Sequence, residues 1–193
     1  MVPGVIVLMG GGLDSSCLAL LLSSKDGGRR VLGMHFDYGQ PAFRMEARAT
    51  RAIADYLCIP LTTSAMRLPI HEQDYELKGR NLLFLLAAAP TALSEGFGQL
   101  ALGIHKGSRY YDASPAFFSD AQRVFDGYFG GRIVVTAPFL DITKPEIWEI
   151  ARAEGLPIDR TYSCLEGCDP PCGYCPSCGD RQALNERYGS VQE

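Results

Sequence analysis

A glycine-rich turn between a strand and a helix constrains this chain more than any other feature. Residues 5–8 form a short apolar run rich in β-branched side chains, which is typical of a buried parallel strand. Gly10, Gly11 and Gly12 follow, and the apolar residues 17–22 predict a helix. Glycines let backbone amides approach a ligand closely, and a helix N-terminus presents unpaired N–H groups. The turn therefore predicts a cradle for an anion, and phosphate is the anion that fits it best.

Two common phosphate-binding loops do not match this turn. A P-loop ends in Gly-Lys-Ser or Gly-Lys-Thr, whereas here the glycines lead to Leu13, Asp14 and Ser15, with no lysine before Lys25. The dinucleotide fingerprint requires a third glycine at the position of Ser15. Asp14, together with Ser15 or Ser16, also stands where side chains cap a helix. A tight turn followed by a capped helix is therefore the structural alternative to a phosphate site.

Size and composition are those of one globular domain. The chain has 193 residues, of which 47% are hydrophobic and 21% charged, as is ordinary for a soluble protein. A net charge of −4, without a cluster of basic residues, argues against direct nucleic-acid binding. No apolar run reaches the roughly 18 residues of a membrane-spanning helix, and the first residues lack a signal-peptide pattern. We therefore expect a cytoplasmic protein with no membrane partner.

Strands and helices are predicted to alternate five times along the chain. The predicted strands cover residues 5–8, 31–36, 61–63, 100–104 and 133–135, and the predicted helices cover residues 17–22, 42–57, 82–89, 114–129 and 144–154. Pro90 is expected to kink or break the third helix, and residues 64–79 are expected to form a long loop. Right-handed crossovers place helices on both faces of such a sheet. We therefore predict an α/β fold with a Rossmann-like, five-stranded parallel sheet.

The predicted sheet also indicates where a ligand binds. Ligands of parallel α/β sheets lie outside the carboxyl ends of the strands. Four loops should share that rim, namely residues 10–12, 37–40, 105–106 and 138–140. The first of them is the glycine turn, so the other three are expected to bound the same site.

The C-terminal region carries a cysteine pattern typical of a metal site. The seven cysteines are an odd number, and five of them crowd between residues 164 and 178, which disfavours a disulfide framework. Gaps of two residues let thiolates converge on one ion, and four thiolates complete a closed, structural zinc site. The predicted ligands, spaced C-x7-C-x2-C-x2-C, are Cys164, Cys172, Cys175 and Cys178. An iron–sulfur cluster is the alternative occupant.

The other three cysteines are not expected to take part in chemistry. Cys168 is interpreted as a bystander, and Cys17 and Cys58 lie in helical apolar patterns that place them in the core. The chain is then expected to divide into a nucleotide-binding α/β domain, residues 1–156, and a C-terminal zinc knuckle with a helix, residues 157–193.

The glycine turn resembles the pyrophosphate loop Ser-Gly-Gly-x-Asp-Ser. Enzymes with this loop split ATP between the α and β phosphates and transfer AMP to a substrate. The match covers residues 10–15, with Gly10 in the position of the leading serine. That replacement removes one hydroxyl group from the cradle, while the backbone amides remain.

Further motifs extend the resemblance over nearly the whole chain, which is similar to the 7-cyano-7-deazaguanine synthase family, the QueC or ExsB type. In chain order the motifs are Phe36-Asp37-Tyr38-Gly39-Gln40 with Glu46 downstream, Gly79-Arg80-Asn81, Pro138-Phe139-Leu140, Lys144-Pro145-Glu146-Ile147, Ser163-Cys164, and residues 172–178 with Arg181. The resemblance implies an adenine nucleotide alpha hydrolase-like fold.

This resemblance also implies an ATP-dependent ligase that acts on 7-carboxy-7-deazaguanine. The carboxylate would attack the α-phosphate to give an acyl-adenylate, and ammonia would displace AMP to give the amide. A second adenylation would permit dehydration to the nitrile. The chemistry is consistent, because a carboxylate is inert toward ammonia until its oxygen becomes part of a good leaving group. The implied partners are the deazapurine carboxylate and ammonia, with a homodimer as a further expectation.

The same resemblance implies roles for individual residues. The implied catalytic residues are Asp14, Ser15 and Lys144. The implied ATP-binding residues are Leu8, Met9, Gly10, Gly11, Gly12, Leu13, Asp14, Ser15, Ser16, Cys17, Leu18 and Phe36. The implied substrate-binding residues are Tyr38, Gln40, Arg80, Asn81, Lys106 and Asp112. Mg²⁺ is expected to accompany ATP, and Zn²⁺ to be held by the four cysteines.

One family motif is altered in this chain. Where the family has a segment close to Tyr-Pro-Asp-Cys-Arg, this chain has residues 110–114. Asp112 is kept and could accept from a guanine-like N–H edge, but Ser114 replaces the arginine. Lys106 or Arg109 could supply the missing charge. A ligase that stops at the amide, or that joins a deazapurine acid to another amine, is therefore the first alternative function.

Two other functions remain as alternatives. Enzymes of tRNA thiolation also combine pyrophosphate loops with cysteine knuckles, but they need a basic face and a sulfur-bearing cysteine. The acidic balance and the four-ligand tail of this chain count against that function. The second is a non-catalytic module that binds a nucleotide, which the altered Gly10 and Ser114 positions would suit.

Overall fold

Strands and helices alternate from the first strand onward. The computed structural model describes residues 4–24, 29–66, 68, 77–107 and 110–189. Its strands are β1 (Gly4–Leu8), β2 (Val31–Asp37), β3 (Leu61–Ala65), β4 (Phe97–Leu102) and β5 (Val134–Thr136). Its α-helices are α1 (Leu13–Ser24), α2 (Phe43–Tyr56), α3 (Arg80–Glu95), α4 (Pro115–Phe129), α5 (Lys144–Ala153) and α6 (Pro176–Tyr188). Across these ranges, every helix is too short or too polar to cross a membrane.

The strands form one parallel sheet. Their order is β3-β2-β1-β4-β5, and each pair of neighbouring strands is parallel. The chain first adds strands outward from β1 to β3 and then crosses to the other side of β1 to form β4. The order therefore reverses between β1 and β4, which is the place where such sheets bind ligands. The predicted Rossmann-like, five-stranded parallel sheet is confirmed.

Alternate residues of β1 face two different hydrophobic cores. Val5 and Val7 pack in one core with residues of α1 and α5. Ile6 and Leu8 pack in the other with residues of α3 and α4. Because successive side chains of a strand point to opposite faces, a strand buried along its whole length needs cover on both sides. The prediction of helices on both faces is confirmed.

Several boundaries differ from those predicted from the apolar runs. β3 extends to Ala65, and β4 begins at Phe97 and ends at Leu102. Residues 103–105 lie beyond the strand and have no regular secondary structure. Of the predicted long loop, residues 64 and 65 belong to β3, whereas residues 67 and 69–76 lie outside the described residues.

Local predictions were made for Pro90, Cys58 and Cys17. α3 continues through Pro90 to Glu95, so the proline does not end the helix. Cys58 is exposed rather than part of the core, so that prediction is wrong. The reason is that α2 ends at Tyr56, and Cys58 adopts a φ of 53° in the turn beyond it. Cys17 is fully buried, as predicted.

The C-terminal segment packs tightly against the rest of the chain. Leu156, Ile158 and Leu184 belong to the core that also contains α1 and α5. Gly167 has a φ of 70°, and a Cβ at this residue would overlap the carbonyl oxygen of Pro41. Such an approach is open only to glycine. The cysteine-rich segment therefore packs against the loop that leads into α2.

Candidate active site and cysteine cluster

A cavity of about 320 Å³ lies at the carboxyl edge of the sheet. Its walls come from the ends of β1, β2 and β4, the first turns of α1, α2 and α3, the first residue of α5, residues 162–165 and α6. The predicted rim loops 10–12 and 37–40 contribute to it. Among the described lining residues, none comes from loops 105–106 and 138–140. The site is thus centred on β1 and its two neighbours.

The glycine turn is packed on one side and open on the other. Gly11 has a φ of 72°, and a Cβ there would lie 2.7 Å from the carbonyl oxygen of Glu46. A Cβ at Gly10 would meet no atom within 4 Å. Gly11 is therefore required by its conformation and its contact, whereas Gly10 faces open space. Gly10 lines the cavity, which leaves its backbone accessible to a ligand.

The first turn of α1 directs polar groups toward the same place. Ser15 accepts a hydrogen bond through Oγ from the backbone N–H of Gly10, at 3.3 Å. At the end of β4, a Cβ on Gly103 would lie 2.7 Å from the backbone nitrogen of Ser15. The backbone of β4 therefore approaches the helix start closely. This arrangement holds the N–H groups of a helix N-terminus at the cavity wall.

Most of the predicted ATP-binding residues surround the cavity. The ones that line it are Leu8, Met9, Gly10, Gly12, Leu13, Asp14, Ser15 and Phe36. Gly11 lies against α2, and Ser16, Cys17 and Leu18 are buried within α1. These four residues act behind the cavity wall rather than on its surface.

Asp14 is a buried carboxylate at this wall. Its Oδ1 has no hydrogen-bond partner among the described residues. Burial raises the pKa of Asp14, and the positive charges of Lys144 and His105 partly oppose this rise. A buried carboxylate oxygen without a hydrogen-bond partner is costly to folding, which is typical of a group kept for function.

Lys144 stands opposite Asp14 as the first residue of α5. The start of this helix is fixed by Thr143, whose backbone N–H donates to Glu146 Oε2 at 2.7 Å. The Lys144 side chain lines the cavity, and its Nζ donates to Asp180 Oδ2 at 3.0 Å. The ammonium group is therefore held between α5 and α6 at the edge of the site.

Arg181 adds a second cation to the cavity wall. Its Nη2 donates to the carbonyl oxygens of Ile158 and Thr161 and to the Thr161 hydroxyl, at 2.7–3.2 Å. Its guanidinium carbon lies 5.4 Å from the centre of the Trp148 ring. Burial lowers the pKa of Arg181, and the charge of Asp14 opposes this effect. From the sequence, Arg181 was recognised only as part of a family motif, without a role in a site.

The other half of the cavity is aromatic and polar. Phe36 and Phe84 stack with centroids 4.6 Å apart, and Tyr38 packs against Phe84 at 5.2 Å. Arg80 Nη1 donates to the Tyr38 hydroxyl at 3.4 Å, and Asn81 lies beside it at the start of α3. The predicted substrate-binding residues Tyr38, Arg80 and Asn81 therefore meet in one place.

Gln40 orients the groups around it. Its Oε1 accepts from the backbone N–H of Tyr38 at 2.9 Å. Its Nε2 donates to the carbonyl oxygen of Phe36 at 3.0 Å and to Glu46 Oε2 at 2.8 Å. Burial raises the pKa of Glu46, opposed by the hydrogen bond from Gln40 and by the charges of His35 and Arg80. Gln40 thus fixes the end of β2 relative to α2.

Two predicted substrate-binding residues lie outside the cavity lining. Asp112 Oδ2 accepts from the backbone N–H of Asn81 at 3.3 Å, and its carbonyl oxygen accepts from Asn81 Nδ2 at 3.0 Å. Lys106 is exposed. Ser114 caps α4, since its Oγ accepts from Phe117 N at 3.2 Å. Arg109 lies outside the described residues.

His35 and Tyr162 also line the cavity, although neither was predicted from the sequence as a site residue. His35 Nδ1 lies 2.8 Å from the carbonyl oxygen of Met9, and its buried Nε2 has no partner among the described residues. Tyr162 lies just before the first cysteine and lines the cavity. Glu46 was noted only as a family feature. His35 lies within a buried strand, and Tyr162 lies just before the cysteine cluster. Neither position indicates from the sequence that the side chain borders a cavity, which is why these residues were missed.

The four predicted metal ligands come together. The Sγ atoms of Cys164, Cys172, Cys175 and Cys178 all lie within 4.8 Å of one another. Cys172 Sγ and Cys178 Sγ are 3.9 Å apart, close to the roughly 3.8 Å expected between thiolates of a tetrahedral zinc site. Backbone N–H groups donate to three of the sulfurs, which suits thiolates. The donor set and its spacing fit Zn²⁺.

The pKa values of the thiols suit a site that could hold a cation. Burial opposes ionisation of Cys164, but hydrogen bonds from the backbone N–H groups of Cys172 and Cys168 and with the side chains of Tyr162 and Cys172 together lower its pKa to about 6. Burial and hydrogen bonds with the neighbouring thiols raise the pKa of Cys178 to about 12. Four thiolates this close repel one another unless a metal ion neutralises them. Cys168 lies beside the cluster but is not one of the four.

Comparison with known proteins agrees with this geometry. The family model described as queuosine biosynthesis protein QueC matches residues 4–74 and 72–189. The chain belongs to the QueC family. Its QueC match therefore includes the glycine turn, the cavity and the cysteine cluster.

Curated relatives of this QueC family member cover nearly its whole length. The 7-cyano-7-deazaguanine synthase of Aquifex aeolicus (strain VF5) is 31% identical over 93% of this chain and 94% of that protein. The 7-cyano-7-deazaguanine synthase of Synechococcus sp. (strain RCC307) is 32% identical over 95% of each. The structure of NMN synthetase from Francisella tularensis matches with a TM-score of 0.58 and 13% identity, over 99% of this chain and 79% of that one. This last likeness shows the fold alone.

Proposed function

We propose that this QueC family member is an ATP-dependent, AMP-forming ligase that converts 7-carboxy-7-deazaguanine to 7-cyano-7-deazaguanine with ammonia. The observation that carries the proposal is the shared cavity. A glycine turn with a buried carboxylate, Asp14, opens into the same space as an aromatic and polar region around Tyr38, Arg80 and Asn81. An activated nucleotide and a planar acid would thus meet within one site.

In the first half of the proposed reaction, a carboxylate oxygen of the base attacks the α-phosphorus of ATP and pyrophosphate leaves. Ammonia then attacks the acyl carbon, AMP leaves with the former carboxylate oxygen, and a proton is lost to give the amide. In the second half, the amide oxygen attacks the α-phosphorus of a second ATP and a second pyrophosphate leaves. Loss of AMP and of the two amide protons gives the nitrile.

The residues near the glycine turn suit the charge that moves in these steps. Backbone N–H groups of the turn and of the first turn of α1 would hold the leaving pyrophosphate. Lys144 would balance negative charge on the transferred phosphoryl group. Mg²⁺, the usual companion of ATP, would offset the phosphate charge, and the unpartnered Asp14 Oδ1 is the atom suited to hold it.

The cysteine cluster would hold Zn²⁺ through Cys164, Cys172, Cys175 and Cys178. A site closed by four thiolates leaves no position for substrate, so the ion would stabilise the fold around the cavity.

A second candidate is a ligase that stops at the amide or joins the deazapurine acid to another amine. Ser114 supports it, because the hydroxyl that stands in place of the family's arginine is used locally. It donates to the Tyr111 carbonyl oxygen at 2.7 Å and accepts from Phe117 N. The anchoring charge of that motif is therefore missing, which would change how the activated acid is presented to the amine.

An isotope experiment tests adenylation and separates the two candidates. The base, labelled with ¹⁸O in both carboxylate oxygens, is incubated with the zinc-loaded protein, Mg·ATP and ammonia. Each adenylation should transfer one ¹⁸O to AMP, so nitrile formation yields two labelled AMP molecules and amide formation yields one. A conjugate with another amine would appear as a new mass after supply of that amine. Unlabelled AMP, or none, would contradict the proposal and favour a nucleotide-binding module.

A further inference from the structure

The cavity contains a carboxylate to which the proposed reaction gives no role. Glu46 lies in the first turn of α2 and lines the cavity beside Tyr38 and Arg80. Its Oε2 accepts from Gln40 Nε2 at 2.8 Å. That bond leaves Oε1 and one lone pair of Oε2 for a ligand, since an ionised carboxylate only accepts hydrogen bonds.

The position of Glu46 relative to the glycine turn is fixed by the backbone. Its carbonyl oxygen packs against Gly11, where a Cβ would lie only 2.7 Å away. The hydrogen bond from Gln40 holds its side chain, and Gln40 is in turn bonded to Phe36 and Tyr38. A group held in this way by both backbone and side chain can select among ligands, because little reordering is needed on binding.

Resting on the proposed function, we infer that Glu46 recognises the donor edge of the guanine-like base, its ring N–H and its 2-amino group. These two adjacent donors match the two oxygens of a carboxylate. The Watson–Crick edge of adenine instead places one donor beside an acceptor, which would face a carboxylate oxygen unfavourably. Glu46 is thus the specificity-determining residue for the base, not for ATP.

Elimination among the carboxylates supports this assignment. Among the described lining residues, the acidic ones are Asp14 and Glu46. Asp14 lies with Lys144 at the glycine turn, on the phosphate side. Asp112, which the family resemblance implied for this role, is outside the lining and binds the backbone of Asn81. The aromatic residues Tyr38 and Phe84 beside Glu46 offer faces on which a planar base can stack.

The test measures binding to the zinc-loaded full chain by calorimetry, with wild type, Glu46→Gln and the matched control Asp55→Asn, an exposed residue of α2. The ligands are 7-carboxy-7-deazaguanine, the same base without its 2-amino group, and α,β-methylene-ATP. For Glu46→Gln we expect the affinity for the amino base to fall at least ~10-fold, the loss for the base without the amino group to stay below ~3-fold, and ATP-analogue binding to stay within ~2-fold. Asp55→Asn should resemble wild type.

Each other outcome is decisive. Equal losses for both bases, or a loss of ATP-analogue affinity, would overturn the assignment. If Glu46→Gln does not fold, as judged by zinc content, Glu46→Asp takes its place and must lower the wild-type preference for the 2-amino group. If the wild-type protein binds the ATP analogue but neither base, the proposed function is overturned. If Glu46→Gln binds the bases as tightly as wild type does, only the role of Glu46 is overturned.

Discussion

The backbone N–H of Tyr162 donates to the carbonyl oxygen of Gly11 at 2.9 Å. Tyr162 lies two residues before the first cysteine of the cluster, and Gly11 is the packed residue of the glycine turn. One hydrogen bond thus joins the metal knuckle to the cradle. Two further contacts support this connection: Gly167 packs against Pro41, and the charge of Asp14 raises the pKa of Arg181 against the effect of burial. The cysteine cluster is therefore part of the scaffold of the cavity.

Loss of the metal should weaken nucleotide binding as well as folding. In Cys175→Ser the cluster loses one of four ligands, and the Tyr162–Gly11 link loses its support. We expect zinc content, measured by plasma mass spectrometry, to fall well below one ion per chain, and α,β-methylene-ATP affinity to fall at least ~10-fold. Cys58→Ser, which removes an exposed thiol, is the matched control. Zinc-free protein that binds the analogue normally would argue against this coupling.

The same substitution should destabilise the protein at Gly11 but have little effect at the neighbouring Gly10. Gly11→Ser puts a Cβ 2.7 Å from the Glu46 carbonyl oxygen at a φ of 72°. We expect the free energy of unfolding to fall by about 2 kcal/mol or more, which lowers the unfolding midpoint by roughly 4–8 °C. Gly10→Ser meets open space and should change stability by less than about 0.5 kcal/mol. Thermal unfolding followed by circular dichroism measures both, and a similar midpoint for the two variants would refute the assigned packing.

The sequence was most informative where a local rule acts alone. Three glycines at a strand–helix turn, the alternation of elements and the spacing of Cys172, Cys175 and Cys178 each led to the observed structure. Cys58 was misplaced because an apolar pattern does not reveal the residue at which a helix ends. Arg181 and Glu46 were not recognised as cavity residues because their exposure depends on how α6 and α2 pack against the glycine turn. Contacts between distant segments set that packing, and one-dimensional periodicity does not encode them.

Asp14 should lower the free energy of unfolding as the pH rises from the ordinary pKa of this carboxylate, 3.8, through its higher pKa in the folded chain. Burial raises the pKa of Asp14 in the folded chain above its ordinary value of 3.8. Between the unfolded and folded pKa values the folded state binds more protons, so the free energy of unfolding decreases with increasing pH. In Asp14→Asn this decrease should be smaller. Urea unfolding at a series of pH values from about 4 to 7 measures the slope, with Asp55→Asn as control, and an unchanged slope in Asp14→Asn would contradict the account.

Lys144 and its partner Asp180 should differ in their effect on catalysis. Removing the ammonium in Lys144→Met leaves developing phosphate charge without compensation, so we expect AMP formation to fall roughly 100-fold or more. Asp180→Asn removes the ion-pair partner but leaves the Lys144 ammonium group in place, so AMP formation should fall by less than about 10-fold. Chromatographic measurement of AMP with saturating base gives both values. A larger loss in Asp180→Asn than in Lys144→Met would show that Lys144 serves mainly as an ion-pair partner.

The reaction stoichiometry tests the central claim most directly. The zinc-loaded protein is incubated with Mg·ATP, ammonia and 7-carboxy-7-deazaguanine, and AMP, pyrophosphate and the base product are quantified together. The account predicts that AMP and pyrophosphate form only when the base is present and that two of each accompany every 7-cyano-7-deazaguanine. Formation of ADP and phosphate, or AMP release that is independent of the base, would contradict it.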